Sequence, residues 1–359
     1  MRIYDFIKRI TPPLIKRLIR RMKKPVVVVA KKDLSPPKSS DLPTKVRIDA
    51  STHCQLKCPD CSGHGKNDPN RIIGKGYLKF SDFKNFLDSH TYIKSIELAS
   101  FGELFLNPEL VKILEYAHKK NVSLTANGGV NFNTASDEVI EALVKYKLKS
   151  MAIGIDGTSQ EVYSVYRVGG NYDHVIANIR KLNAFKEKHG TELPKLTWQF
   201  VIMHHNENDV VSAKKLAGQL KMNIKFKLTW NQSYVPQNAE MLMQETGLTS
   251  LSRGEYQQKS SEQYLSKICH QLWKQPVINW DGRLLGCCVA AYKDFGVNVF
   301  MTGLETALST DSFKYAKQLL QGKIQHDADD VIKFKNNIPC LDCRFYHNMH
   351  KHSAYVEIE

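Results

Sequence analysis

Three thiols in one short loop have the clearest chemical purpose in this sequence: Cys54-Gln-Leu-Lys-Cys58-Pro-Asp-Cys61. Thiolates are soft ligands, suited to iron–sulfur clusters or to zinc. A closed structural zinc site takes four ligands, and three thiolates in a tight loop leave one position open. His53 or His64 could fill that position, so zinc stands as an alternative. The remaining cysteines are Cys269, Cys287, Cys288, Cys340 and Cys343, all in the C-terminal third. Eight cysteines in a 359-residue chain without a secretory run speak for metal or redox chemistry in a reducing compartment rather than for disulfides. The expected location is therefore the cytoplasm.

Loops of this kind need a scaffold, and the hydrophobic pattern supplies one. Short β-branched or alternating segments fall at 45–50, 95–100, 122–126, 150–155, 196–203 and 224–230. Helical stretches lie between them, near 81–90, 108–119, 136–147, 173–188 and 206–221. Such alternation implies a parallel sheet covered by helices. Six units are too few for a closed eight-stranded barrel, so the expected fold class is α/β, a partial (β/α)6 barrel. Active sites in such sheets collect at the C-terminal ends of the strands, and the first cysteine loop directly follows the first strand. Residues 231–268 read as a polar connector. Asp281-Gly282 then marks a hairpin turn within 276–288, followed by a helix near 311–321. A small hairpin-and-helix domain is expected over 269–345, with a tail at 346–359.

The C-x-x-x-C-x-x-C spacing after a first strand resembles the radical S-adenosylmethionine (SAM) superfamily. That resemblance implies a [4Fe–4S] cluster on Cys54, Cys58 and Cys61, whose fourth iron binds SAM and cleaves it to a 5′-deoxyadenosyl radical. Later motifs agree in order. Gly102-Glu103 stands where the family meets the SAM ammonium, although Phe101 replaces a Gly and Leu104 a Pro. Thr125-Ala-Asn127-Gly128 is similar to the family's turn after the third strand. Asp156, ending the fourth, and Arg167 correspond to residues meeting the ribose and the SAM carboxylate. Asp60 departs from the pattern, because the family usually has an aromatic or apolar residue there, near adenine. Singly, each motif also reads as an ordinary turn or a solvated charge.

The second cysteine group resembles the Twitch subdomain, the shortened relative of the SPASM domain. The implication is an auxiliary [4Fe–4S] cluster on Cys269, Cys287, Cys340 and Cys343, with a zinc ribbon as the alternative. Cys288 is left over, either a packed thiol or a hydrogen donor to the substrate. The histidines of the tail, His347, His350 and His352, read as a solvated end.

The net charge of +15 is concentrated in residues 1–32, which hold eleven Lys or Arg and one acid; the rest carries only +5. That excludes a basic nucleic-acid-binding domain. Leu14, Ile15, Leu18, Ile19 and Met22 form one face of a basic helix within the N-terminal arm and linker, 1–44. Such a helix either packs on the body or rests on anionic lipid through residues 1–24, which would place the protein at the inner face of the membrane. No apolar run reaches the roughly eighteen residues of a membrane span.

With one auxiliary cluster, the chain resembles the aminocyclitol (2-deoxy-scyllo-inosamine) dehydrogenase type of radical SAM enzyme. The implied reaction is oxidation of a secondary alcohol on a small-molecule or carbohydrate substrate, with flavodoxin or ferredoxin as electron donor. Alternatives are an epimerase of a sugar or peptide that uses Cys288, a peptide maturase, and a non-catalytic zinc-binding protein. The 44 residues before the first strand are few for a maturase's peptide-recognition domain.

Overall fold

The structure, a computed structural model, describes residues 42–61, 71–260, 264, 266–324 and 337–351. The basic arm with its lipid-binding reading, His64 and His352 lie outside these residues.

Seven strands form one open sheet: β1 Lys45–Ile48, β2 Ser95–Glu97, β3 Ser123–Val130, β4 Ser150–Gly154, β5 Lys195–Ile202, β6 Asn223–Leu228 and β7 Val277–Ile278. Their spatial order is β6-β5-β4-β3-β2-β1-β7, and every neighbouring pair is parallel. The helices α1 Phe80–Ser89, α2 Leu110–Lys119, α3 Asp137–Lys145, α4 Gln160–Tyr166, α5 Tyr172–Lys188 and α6 Val210–Gln219 connect β1 to β6. This is the α/β, partial-barrel arrangement expected of a radical SAM fold.

Period-two patterning decides which face is which. Val46, Ile48, Ile96, Leu124, Ala126, Trp198, Phe200 and Leu228 are buried in one core with Phe83, Ile113, Leu143 and Ile179 of the helices. Their alternating neighbours Arg47, Asp49, Glu97, Thr125, Asn127, Gln199, Lys225 and Lys227 give the opposite, inner face a polar lining. Helix starts follow capping chemistry. Ser136, Ser159 and Asn171 accept bonds from the amides of Val139, Val162 and His174, satisfying donors that the first turn leaves open.

Three features differ from the sequence reading. The short helix α4 fills what the pattern left as loop. Strand β3 runs on to Val130 through a register shift between Ala126 and Val130, around Gly129 at φ +96°. Most consequential is β7, which pairs in parallel with β1, Arg47 opposite Val277 and Ile48 opposite Ile278. The expected turn follows it: Gly282 N–H donates to Asn279 O at 3.0 Å, and Ile278 bridges Leu284 antiparallel. One arm of the hairpin thus extends the main sheet. Among the described residues no helix is long and apolar enough to cross a membrane.

Candidate active site

The loop after β1 carries the first thiols and is fastened at several points. Thr52 N–H donates to Gly76 O at 3.0 Å, Glu103 N–H to His53 O at 2.7 Å, and Lys57 N–H to Val168 O at 2.9 Å. Cys61 N–H closes a turn on Cys58 O at 3.3 Å. Cys58 is buried, whereas Cys54 and Cys61 are half-buried. Burial pushes the Cys54 thiol up to about 12, helped by Glu103 and the other two thiols. It raises Cys58 as well, against the pull of Arg167, which also hydrogen-bonds that thiol. Thiols in such surroundings stay protonated unless a metal centre takes the place of the proton. A soft, three-thiol donor set in mutual electrostatic reach fits a cluster of that kind. His53, one candidate for a fourth zinc ligand, stacks on Tyr77 at 4.5 Å between ring centroids.

The other sequence-selected residues border this loop. Gly102 lies where the second strand's loop presses on the first: a Cβ there would meet Ser51 O at 2.3 Å and Thr52 Cα at 2.6 Å. Glu103 is buried beside Cys54, its carboxylate accepting from Asn131 N–H at 2.6 Å and Phe105 N–H at 3.3 Å. Burial raises it to about 7 despite those bonds. Arg167 Nε donates to Asp156 Oδ2 at 2.7 Å, and Asp156 Oδ1 accepts from Val201 N–H at 2.8 Å. Both oxygens of Asp156 are therefore engaged within the chain, and the residue aims Arg167. Burial opposes the charge of Arg167, but Asp156 and then Cys58 raise its pKa and keep it protonated. The guanidinium lies across Gly154, where a Cβ would meet Nη2 at 2.3 Å. Thr125 Oγ1 and Asn127 N–H donate to the two oxygens of Glu97, each at 2.7 Å.

Several polar residues were not singled out from the sequence. Glu97 organises Thr125 and Asn127. Asn131 donates to Cys54 Sγ at 3.5 Å and to Gln55 Oε1 at 3.4 Å. Asp49 is fully enclosed, with Oδ1 accepting from Phe101 N–H at 3.3 Å and Oδ2 lacking a partner. A usable signal existed, because Arg47, Asp49 and Glu97 fall on the polar phase of the alternation at β1 and β2, the phase that lines the inner face.

Four thiols of the second group come together. Cys340 lies in the field of Cys287, Cys269 and Cys343, and Cys343 N–H turns back onto Cys340 O at 3.2 Å. Burial pushes Cys269 up to about 12 and Cys287 and Cys340 well above their ordinary range. Cys269 also meets Met349 Sδ at 3.9 Å. Among the described residues no three His, Cys, Asp or Glu donors stand at the spacing of a single-ion site. A tetrahedral zinc site would bring its thiolates within about 4 Å of one another. The four soft donors of this group also suit an iron–sulfur cluster. Cys288 is half-buried, and its thiol feels Arg47 and Asp49 of the inner face as well as Gln271. His347 is exposed.

In fold, the chain is similar to Streptococcus suis SuiB bound to S-adenosylmethionine: TM-score 0.59, 13% identity, covering 89% of this chain and 77% of that one. SuiB bound to its precursor peptide SuiA gives 0.58 and 12%, over 89% and 76%. BtrN in complex with AdoMet and 2-DOIA gives 0.45 and 12%, over 79% and 90%, a likeness too weak to argue from. No curated protein matches the chain in sequence. The Radical SAM superfamily model matches residues 49–212, from the end of β1 into α6, a span that holds the Cys54–Cys61 loop, Glu103 and Arg167. Over that span this chain is similar to the radical SAM superfamily, and the likeness keeps the expectation of a [4Fe–4S] cluster and SAM.

Proposed function

We propose that this chain is a radical SAM oxidoreductase that turns a secondary alcohol of a sugar- or cyclitol-like molecule into a carbonyl. When bound, the first cluster and SAM supply the 5′-deoxyadenosyl radical, and an auxiliary [4Fe–4S] cluster supplies an acceptor for the second electron. On this reading Cys54, Cys58 and Cys61 hold the first cluster, and Cys269, Cys287, Cys340 and Cys343 the second. Glu103 receives the SAM ammonium and Arg167 its carboxylate, with Gly102, Thr125, Asn127 and Asp156 shaping the cradle. The carbinol hydrogen leaves as an atom and the hydroxyl proton goes to a base. A flavodoxin or ferredoxin supplies the reducing electron.

The observation that carries this reading is the pairing of β7 with β1. It ties the segment that leads to Cys287 to the strand from which the first thiol loop springs, and the neighbouring Cys288 feels Arg47 and Asp49 of the inner face. Cys340→Ala or Cys343→Ala should remove about four irons, the content of one cubane, while SAM cleavage without product continues. The substrate for this test is the metabolite that stimulates 5′-deoxyadenosine release. Full substrate oxidation by either variant removes the acceptor role.

One observation favours a second reading, an epimerase with Cys288 as hydrogen donor: that thiol stands in the field of inner-face residues. Turnover in D₂O separates the two. An epimerase places one solvent deuterium in its product and loses it with Cys288→Ala. A dehydrogenase places none, and the substitution costs it only packing. The likeness to SuiB is one of fold and carries no substrate.

A further inference from the structure

The C-terminal end of β6 gathers four cations, none of them ion-paired to a carboxylate among the described residues. Lys225 and Lys227 occupy inner-face positions of the strand, and Lys227 Nζ donates to Gln199 Oε1 at 2.5 Å. Arg253 lies between two rings, 3.4 Å from the Trp230 centroid and 4.6 Å from that of Tyr264. Its Nε donates to Leu228 O at 2.9 Å, while Nη1 is buried without a hydrogen-bond partner. Arg344, one residue beyond Cys343, stands 5.1 Å from the same indole.

Among the described residues none of these four cations forms an ion pair. Burial pushes Lys227 down to about 8, and Lys225 and Arg253 add to the effect; Asp156 opposes it, but Asp156 is already paired with Arg167. Burial likewise lowers Arg253 to about 10, with Arg344 as a second cation against it. Desolvated cations crowded by like charge are unfavourable until a counter-charge arrives. The guanidinium of Arg253, stacked and bonded at Nε, is already oriented for one.

We propose that Lys227, Arg253 and Arg344, with Lys225 at the rim, receive a phosphate or pyrophosphate group, so that the substrate is a phosphorylated small molecule. This rests on the oxidoreductase reading for its reaction but not for its binding. One carboxylate would leave most of the charge unmatched, whereas phosphoryl oxygens carry more charge and fit guanidinium forks in pairs. Lys227 is also within electrostatic reach of Asp156 and Arg167, so a ligand anchored here extends toward the first thiol loop. The inner face of a sheet is closed to a bilayer surface, which favours a soluble phosphoester over a lipid headgroup.

The test is a titration of the full-length, iron-loaded protein with inorganic pyrophosphate. Calorimetry follows binding, and Trp230 fluorescence gives a local signal. Inorganic phosphate, a nucleoside diphosphate and acetate serve as parallel probes. Saturable pyrophosphate binding is expected, weakened about tenfold by Arg344→Gln and more by Arg253→Gln, in line with the loss of a charge-assisted pair. Arg344 is exposed, so its variant should fold with unchanged iron content even where Arg253→Gln does not. Four results would each overturn the proposal: no saturable binding, equal binding by wild type and Arg344→Gln, acetate binding as tightly as phosphate, or displacement of pyrophosphate by SAM. Failure of SAM cleavage in the wild type would instead sink the oxidoreductase reading and leave this titration standing.

Discussion

Asp49 places a carboxylate in full enclosure, accepting from Phe101 N–H at 3.3 Å, with Ser100 and the Arg47 guanidinium close by. Burial raises it to about 7, and the pull of Arg47 only partly offsets this. The folded chain therefore keeps a proton that the unfolded chain releases near its ordinary value of 3.8. Between those two values the native state binds more protons, so stability falls as pH rises, by about 1.4 kcal/mol per unit from this group. Asp49→Asn should remove that part of the slope, so its thermal midpoint gains on the wild type between about pH 5 and pH 7. Parallel midpoints across that range would mean that Arg47 already holds the carboxylate ionised. Glu103, raised in the same direction, keeps its own share of the slope in the variant. The candidate ligands Cys54, Cys58 and Cys61 were readable because spacing within one loop is a local property. The partners of Asp156 were not, since Val201 lies forty-five positions away in β5.

Elements position these residues through close backbone approaches. Gly102 is the sharpest case, because any side chain there meets the main chain of Ser51 and Thr52, which cannot give way as a flexible side chain would. Gly102→Ala should lower the thermal midpoint, at a cost of about 1–3 kcal/mol, and loosen the loop that leads to Cys54. Iron from the first group should be lost in preference to iron from the second, which spectroscopy of the two clusters would resolve. Unchanged iron content and midpoint would mean that the loop shifts freely. The strands and most helices were legible because a period of two and a period of 3.6 differ over a few residues. The helix at Gln160–Tyr166 was missed because seven residues hold fewer than two turns, too short for a periodic signal. Its cap, Ser159, was the one local cue.

At the scale of the whole molecule, the sheet joins what the sequence separates. Strand β7 has two residues and pairs with a partner some 230 positions earlier, so no window of sequence could announce it. Yet that pairing sets Cys287 and Cys288 beside the strand that leads to Cys54. The cation wall at Lys227, Arg253 and Arg344 is likewise assembled from three distant segments, and only the strand parity of Lys225 and Lys227 hinted at it. The central claim is that Cys54, Cys58 and Cys61 hold the cluster on which SAM is cleaved. Its most direct test is release of 5′-deoxyadenosine from SAM by the dithionite-reduced, iron-loaded protein, alongside the Cys54→Ala/Cys58→Ala/Cys61→Ala variant. The wild type should release it, and the triple variant should release none while retaining the iron of the second group. Release by the triple variant, or none from a fully iron-loaded wild type, would contradict the account.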